Sequence, residues 1–490
     1  MAEDFLKMPT TYKNFIDGEW VESSSGKTFP NINPANTDEV IGYFQQSNVE
    51  DTRRAIEAAV RAQEKWAKVP APKRGAILYK AAQMVASRVD ELGEILTREE
   101  GKTIGEGKAE VLRASQILSF FGGEGDRFLG DAVPSPRENV FVFTMRKPLG
   151  TVSLITPWNF PIAIPAWKIA PALVSGNTVV FKPASLAPLT SLKLVEILHE
   201  AGLPKGVLNY ITGPGSTVGH EMITNKAIKG VSFTGSCAVG QGIYQQTQQN
   251  MVRTQLEMGG KNPTIVLSDA NLEEAVNVTI NGAFFSTGQR CTATSRVIVE
   301  EPILDKFTRL LVEKTKALKV GNGLDPSVQM GPVVDENQLK TVLNYIEIGK
   351  KEGATLLLGG NRLTGKEYDK GYFVEPTIFT DVKPTMRIAQ EEIFGPVLAI
   401  MVAKNFDEAL EIANNVQFGL SASLCTTNLS RTFEYANRIE AGVVNVNLPS
   451  AGVDYHVPFG GMKDSSSGHR EQGRVAIDFY TELKTVYIKY

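Results

Sequence analysis

The 490-residue chain is predicted to be an α/β protein with two units of parallel sheet and crossover helix, plus two strands that belong to neither. Three observations predict this class. Apolar residues recur at helical spacing from about Val49 to Arg113. After Pro148, short β-branched runs alternate with helical ones. A second alternation of the same kind begins near Asn262 and extends to about residue 447. Successive strands that return through a helix pair in parallel, and a ligand crevice then lies beyond their carboxyl ends.

In order along the chain, "DTRRAIEAAVRAQEKWAKV" and "AAQMVASRVDELGEILTREEG" read as amphipathic helices, with Asp51 placed to cap the first. The segment "ENVFVFTMRKPLG" (138–150) reads as a strand outside the alternation. "GTVSLIT", "NTVVFKP", "VLNYIT" and "KGVSFTG" are the strands of the first unit, and "SLKLVEILHEAGLP" is one of its helices. The stretch 154–174 has the apolar length of a membrane span. Its four prolines and Lys168 favour a buried, irregular, substrate-lining segment instead. The second unit holds "PTIVLSDA", "SRVIVEE", the helix "ILDKFTRLLVEKTKALKVG", "TLLLGG" and "VVNVN". The final "DFYTELKTVYIKY" (478–490) is a strand like 138–150. Together they are either an edge hairpin or a site of pairing between subunits, and the pattern favours the latter.

Composition narrows the function classes. A chain of this length exceeds the roughly 250–300 residues of one core, so two or three domains are expected. With 42% hydrophobic residues, 21% charged residues and a net charge of -3, the protein carries no electrostatic footprint for nucleic acid or an anionic membrane. A small-molecule partner is expected. Cys237, Cys291 and Cys425 form no CxxC pair, and their odd number fits a reducing compartment. The N-terminus lacks the apolar stretch of a signal peptide, so a cytoplasmic location is expected.

The chemistry begins with "FSTGQRCTATSR" (285–296). Only a thiolate is nucleophilic, and Arg290 with the hydroxyls of Thr292, Thr294 and Ser295 are neighbours that favour charge on Cys291. The alternative is a buried structural cysteine. In "QLEMGGKNP", Glu257 lies between apolar neighbours, where a raised pKa suits a general base; a strand end with a structural partner is the alternative. In "TPWNFPIAIPAWK", Asn159 is either a structural hydrogen-bonder or a donor aimed at an oxyanion. "GPGSTVG" (213–219) approaches a dinucleotide fingerprint but has Val218 in place of the last glycine. "FTGSCAVG" (233–240) follows a strand and can open a helix whose free N–H groups face pyrophosphate. Zinc spacings, GxSxG and HExxH are absent, and no metal is expected.

In order, "TPWNFP", "VVFKPAS", "FTGS", "LEMGGKNP", "GQRC", "EEIFGP" and "PFGGMKDSSSGHREQG" resemble the aldehyde dehydrogenase superfamily over nearly the whole chain. The resemblance implies a dinucleotide-binding domain over 1–130 and 150–258, a catalytic domain over 259–470, and oligomerisation strands at 131–149 and 471–490 that form a homodimer or homotetramer. It implies Cys291 as nucleophile, Glu257 as base, Asn159 with the Cys291 N–H as oxyanion hole, and Lys168 as support for a proton path. For the cofactor, NAD and/or NADP, it implies Glu392 and Phe394 at the nicotinamide ribose and ring and Lys182 at the adenosine ribose. Ile155, Thr156, Pro157 and Trp158 would line the same groove, as would Ala184, Ser185, Gly215 and Gly219. Phe233, Thr234, Gly235, Ser236, Val239, Met258 and Gly259 complete it. Phe160 and Phe459 would line the substrate tunnel.

Two departures from common family patterns matter. Where strongly NAD-preferring relatives tend to carry a glutamate, this chain has Ser185, so the element that repels a 2′-phosphate is missing and NADP is expected to be accepted alongside NAD. Arg290 stands where relatives often have a small or apolar tunnel residue. A guanidinium there could bind the far carboxylate of a short semialdehyde, and the local sequences look most like 2-oxoglutarate semialdehyde (2,5-dioxopentanoate) dehydrogenases. Alternatively Arg290 lowers the thiol pKa or pairs with an acid, leaving the tunnel to aliphatic, aromatic or retinoid aldehydes. Acyl transfer to coenzyme A and a non-enzymatic role on the same fold are further alternatives. Glu257 argues against the first, and the intact set of Cys291, Glu257 and Asn159 against the second.

Overall fold

The computed structural model describes residues 9–128 and 130–490; the expectation of no leader falls partly on residues 1–8, outside the described residues. Helices at Val49–Lys68, Ala71–Ser87, Val89–Glu100 and Ile104–Glu124 account for the first helical stretch. Asp51 does not cap the first helix. Asn48 does, its side chain accepting from the Asp51 N–H at 3.1 Å while the Asp51 carboxylate takes the Asn48 N–H at 3.1 Å. A capping residue must stand just outside the helix, and Asp51 sits three residues inside, where it completes a capping box worth about 1 kcal/mol. Thr103 and Glu106 form a second box at the start of Ile104–Glu124, which the T-x-x-E of "TIGE" would have signalled.

The first sheet has seven strands in the order Arg253–Glu257, Ile228–Thr234, Thr151–Ile155, Thr178–Lys182, Leu208–Tyr210, Asn14–Ile16 and Glu19–Val21. The first five run parallel, so their carboxyl ends share one edge. The last two form an antiparallel hairpin whose Asp17–Gly18 turn has positive φ at both residues, the conformation a tight hairpin demands. The second sheet also has seven strands: Thr355–Leu358, Thr377–Thr380, Val397–Ala403, Thr294–Glu300, Asn262–Val266, Ser421–Cys425 and Val443–Val446. All its pairings are parallel except the first.

The two extra strands pair with each other. Thr481 lies opposite Pro148 and Lys489 opposite Val140, with Ala132–Val133 adding a third, short strand. The pairing joins an internal strand, Val140–Pro148, to the C-terminal strand Thr481–Lys489, so it is not a hairpin of consecutive strands. Residues 478–480 end a helical turn, Ala476–Tyr480, and the strand starts at Thr481.

The apolar stretch 154–174 is buried, but it is irregular only at residues 156–162. Ala163–Val174 is a helix, with Pro165 in its first turn, where no N–H is needed, and Pro171 in its interior. Among the described residues no helix is long and apolar enough to cross a membrane.

Candidate active site

A cavity of about 260 Å³ lies between the two sheets and is lined by Cys291, Arg290, Phe160, Phe459, Trp167 and one face of the helix Ile104–Glu124. The loop that carries Cys291 is clamped from several sides. Ser286, Thr287 and Gly288 all have positive φ, which turns the chain sharply out of the helix Leu272–Phe284. Glu106 takes the Ser286 N–H at 2.7 Å. Asn262 donates to the carbonyls of Cys291 and Ala293 at 2.8 and 2.9 Å, and a Cβ at Gly260 would lie 3.0 Å from the Cys291 carbonyl oxygen. Glycine is needed there for that close approach.

The surroundings of the thiol differ from those expected. Burial first, then the charges of Glu257 and Glu392, push the Cys291 thiol up to about 12. Thr294 faces away, its hydroxyl within 2.7 Å of Ser450 Oγ and 3.2 Å of Thr264 Oγ1. Arg290 is engaged by Glu106, Nη2 to Oε1 at 3.2 Å; of the alternatives open from sequence, pairing with an acid is the one observed. Burial and the two neighbouring acids both favour the protonated thiol over the thiolate.

Glu257 ends its strand beside Thr234 and is 1% exposed. Burial and the charge of Glu471 raise its pKa well above the carboxylate range, while the Ser466 hydroxyl donates to its Oε2. A chain of side chains leads away from it: Gln255 donates to Glu257 at 3.4 Å, Ser232 to Gln255 at 2.6 Å, and Lys168 to Ser232 at 2.7 Å. Lys168 also pairs with Glu471, which takes the Trp167 indole N–H at 2.8 Å. The structure thus joins Lys168 to Glu257. Gln255, Glu471 and Ser466 are site residues that sequence reasoning missed, although all three lie in the quoted stretches.

Asn159 is buried, and its Nδ2 donates to the Gln289 carbonyl at 3.0 Å, two residues before Cys291. Its own carbonyl accepts from Lys102 Nζ at 2.6 Å. Lys102 pairs with Glu110 at 2.8 Å, and the other Glu110 oxygen accepts the N–H groups of Ile162 and Ala163 at 3.1 and 3.2 Å.

The carboxyl ends of the first sheet's parallel strands, Glu257 among them, share one edge. Ile155, Thr156, Pro157 and Trp158 leave one strand; Lys182, Ala184 and Ser185 leave the next; Gly215 and Gly219 bound a π-helical turn. Phe233, Thr234, Gly235 and Ser236 lead into the helix Cys237–Gln248, whose first turn has no side-chain cap and carries the exposed Val239. Met258 and Gly259 follow Glu257, and a Cβ at Gly259 would collide with the Glu392 carboxylate. Phe394 meets Trp158 edge to face at 5.4 Å. The hydroxyls of Thr156 and Thr234 are buried without partners. Among the described residues Lys182 is bonded only to the Pro183 carbonyl, at 3.1 Å, and burial lowers its pKa to about 8. Free helix N–H groups, orphaned hydroxyls and an unpaired ammonium at one sheet edge fit a dinucleotide.

The model of the aldehyde dehydrogenase family matches residues 20–486. The chain belongs to the aldehyde dehydrogenase family. It is 50% identical over 479 residues to the alpha-ketoglutaric semialdehyde dehydrogenase of Bacillus subtilis (strain 168), covering 98% of each. It is 44% identical over 480 residues to the 2,5-dioxopentanoate dehydrogenase of Saccharolobus solfataricus, covering 97% of this chain and 99% of the relative. Among solved structures, betaine aldehyde dehydrogenase from Staphylococcus aureus in complex with NAD+ superposes with a TM-score of 0.95 at 36% identity, covering 98% of this chain and 94% of that one.

For an aldehyde dehydrogenase the arrangement is coherent. Asn159 bonds the Gln289 carbonyl two residues before Cys291, and the charge of Glu257 acts on the Cys291 thiol. Glu392 accepts the Gly260 N–H at 3.2 Å, and burial raises its pKa to about 7.

Proposed function

We propose that this aldehyde dehydrogenase oxidises a short acidic semialdehyde, such as 2-oxoglutarate semialdehyde, to the carboxylic acid through a thioester on Cys291. The carrying observation is that the cavity reaching Cys291 is walled by three cations, Lys102, Arg113 and Arg290, against two acids, Glu106 and Glu110, an excess positive charge suited to an anionic substrate. The names of the two relatives above support the same substrate. Lys182, Glu392, Phe394 and the strand-end residues around them would hold NAD or NADP, which would supply the hydride acceptor.

The chain's own groups then have defined tasks. Cys291 Sγ attacks the aldehyde carbon, and its proton passes to the Glu257 carboxylate, whose raised affinity for a proton makes it a better acceptor than an exposed acid. Nδ2 of Asn159 and the Cys291 N–H meet the developing alkoxide; one such donor is worth about 3 kcal/mol. Once the thioester exists, Glu257 takes a proton from water, the C–S bond breaks as the acid forms, and the sulfur recovers a proton. Before that second role Glu257 releases the thiol's proton to water, and Lys168 supports the path by holding Ser232, Gln255 and Glu471 in place beside it. Phe160 and Phe459 exclude water around the reacting carbon.

The protein works in the cytoplasm, as a homodimer or homotetramer assembled through the small sheet. Its last strand presents Leu483, Tyr487 and Ile488 to solvent, and Phe141 is exposed on its partner strand, an apolar surface that favours pairing. Light scattering would settle the assembly. For the activity, reduced-nicotinamide absorbance is measured with 2,5-dioxopentanoate and neutral aldehydes, with NAD or NADP, with and without coenzyme A. The acidic substrate should lead without coenzyme A, and a dependence on coenzyme A or a preference for neutral aldehydes would overturn the reading.

A further inference from the structure

The three cations of the cavity wall are not equivalent. Lys102 is bonded to Glu110 and the Asn159 carbonyl and lies over the Phe160 ring. Arg290 is paired with Glu106, and Glu106 is itself held by Thr103 and Ser286. Each of these charges has an acid in contact, and the pair is neutral. Glu100, buried behind Lys102, lies 3.9 Å from its Nζ and adds a second acid on the side of Lys102.

Arg113 differs from both. Among the described residues it makes no ion pair or hydrogen bond, and its Nη1 is buried with no partner. Its surroundings are the Tyr455 ring, 5.9 Å from Cζ, and the exposed Asp454, whose charge acts on the guanidinium from beyond ion-pair distance. Burial lowers the guanidinium's pKa. Glu106, Ala109, Glu110 and Arg113 all line the cavity, at the spacing of one helix face. Seven residues separate Glu106, beside the nucleophile loop, from Arg113, about 10 Å along the axis. The cavity therefore has its thiol at one end and an uncommitted guanidinium displaced from it by roughly two helical turns.

We propose that Arg113 is the specificity-determining residue that receives the distal carboxylate of the substrate, and that Arg290 is a positioning residue that holds the Cys291 loop through Glu106. The inference rests on the acidic-semialdehyde reading above and names the group that recognises the acid. A guanidinium presents two parallel N–H groups to a carboxylate, and Arg113 alone among the three cations has no competing acid in contact.

The test compares wild type, Arg113→Met, Arg113→Lys and Arg290→Met on 2,5-dioxopentanoate and on pentanal, a neutral aldehyde of equal length, with saturating NAD. In Arg113→Met the ratio of kcat/KM for acidic over neutral substrate should fall about 30-fold, mainly through KM for the acid. Arg113→Lys should recover part of the loss, because it restores the charge without the fork. Arg290→Met should lower kcat on both substrates and leave their ratio within about threefold. Turnover of pentanal by the same preparations reports that each variant is folded. A wild-type ratio in Arg113→Met, or a collapse of the ratio in Arg290→Met alone, overturns this inference while leaving the substrate class intact. A wild type that prefers pentanal overturns the substrate class itself.

Discussion

Nζ of Lys102 donates to the main-chain oxygen of Asn159 at 2.6 Å while it neutralises Glu110 at 2.8 Å. Through the two N–H groups that Glu110 accepts from Ile162 and Ala163, one buried ion pair fixes the whole Asn159 turn. Lys102→Met would leave Glu110 charged and unpaired in the interior. The expected cost is about 3–5 kcal/mol of stability, with kcat down about 100-fold as the amide loses its aim. Thermal melts and single-turnover kinetics read both, and an unchanged kcat would refute the positioning role.

The Cys291 thiol, pushed up to about 12, is a poor nucleophile at rest. Since only the thiolate reacts, alkylation of Cys291 by iodoacetamide in the cofactor-free protein should rise about tenfold for each pH unit between 7 and 10. Peptide mass spectrometry separates it from Cys237 and Cys425. A rate that is flat below pH 8 would show a thiolate already formed.

Glu257→Gln removes the proton acceptor and keeps the shape. Hydrolysis of the thioester should slow about 10²–10⁴-fold, and an acyl group on Cys291 should become visible in quenched enzyme. The pH dependence has a definite sign. The Glu257 pKa is raised, so kcat should fall as the pH drops through a value well above the usual carboxylate range, when the acid form can no longer accept a proton. That limb should vanish in Glu257→Gln.

Ser185 is exposed at the carboxyl edge of the first sheet, three residues after the unpaired ammonium of Lys182. Ser185→Glu would add a carboxylate that repels a 2′-phosphate and binds ribose hydroxyls. The NADP/NAD ratio of kcat/KM should drop at least about tenfold, and unchanged selectivity would locate cofactor choice elsewhere.

Much of this was legible because it is local. Strand–helix alternation, the glycines around Glu257 and the sequence around Cys291 each depend on neighbours a few residues away. The contacts that tune the site do not. Glu106 reaches Ser286 across 180 positions, Lys168 reaches Glu471 across 303, and Lys102 reaches the Asn159 carbonyl across 57. Arg290 shows the same limit: its place beside the nucleophile could be read from sequence, but the acid that engages it lies on a distant helix. The cap of the first helix is a local feature that the sequence leaves open, since Asp51 and Asn48 both suit the role and only the start of the helix decides.

The reacting groups hang from two separate sheets: Asn159 and Glu257 from the strand ends of one, Cys291 from the loop entering a strand of the other. Activity is thus a gauge of their alignment. A rigid-body slip of about 1 Å along the seam, too small to change helix content, is enough to cost about 100-fold in rate. On mild denaturant titration, turnover should consequently fade before ellipticity does.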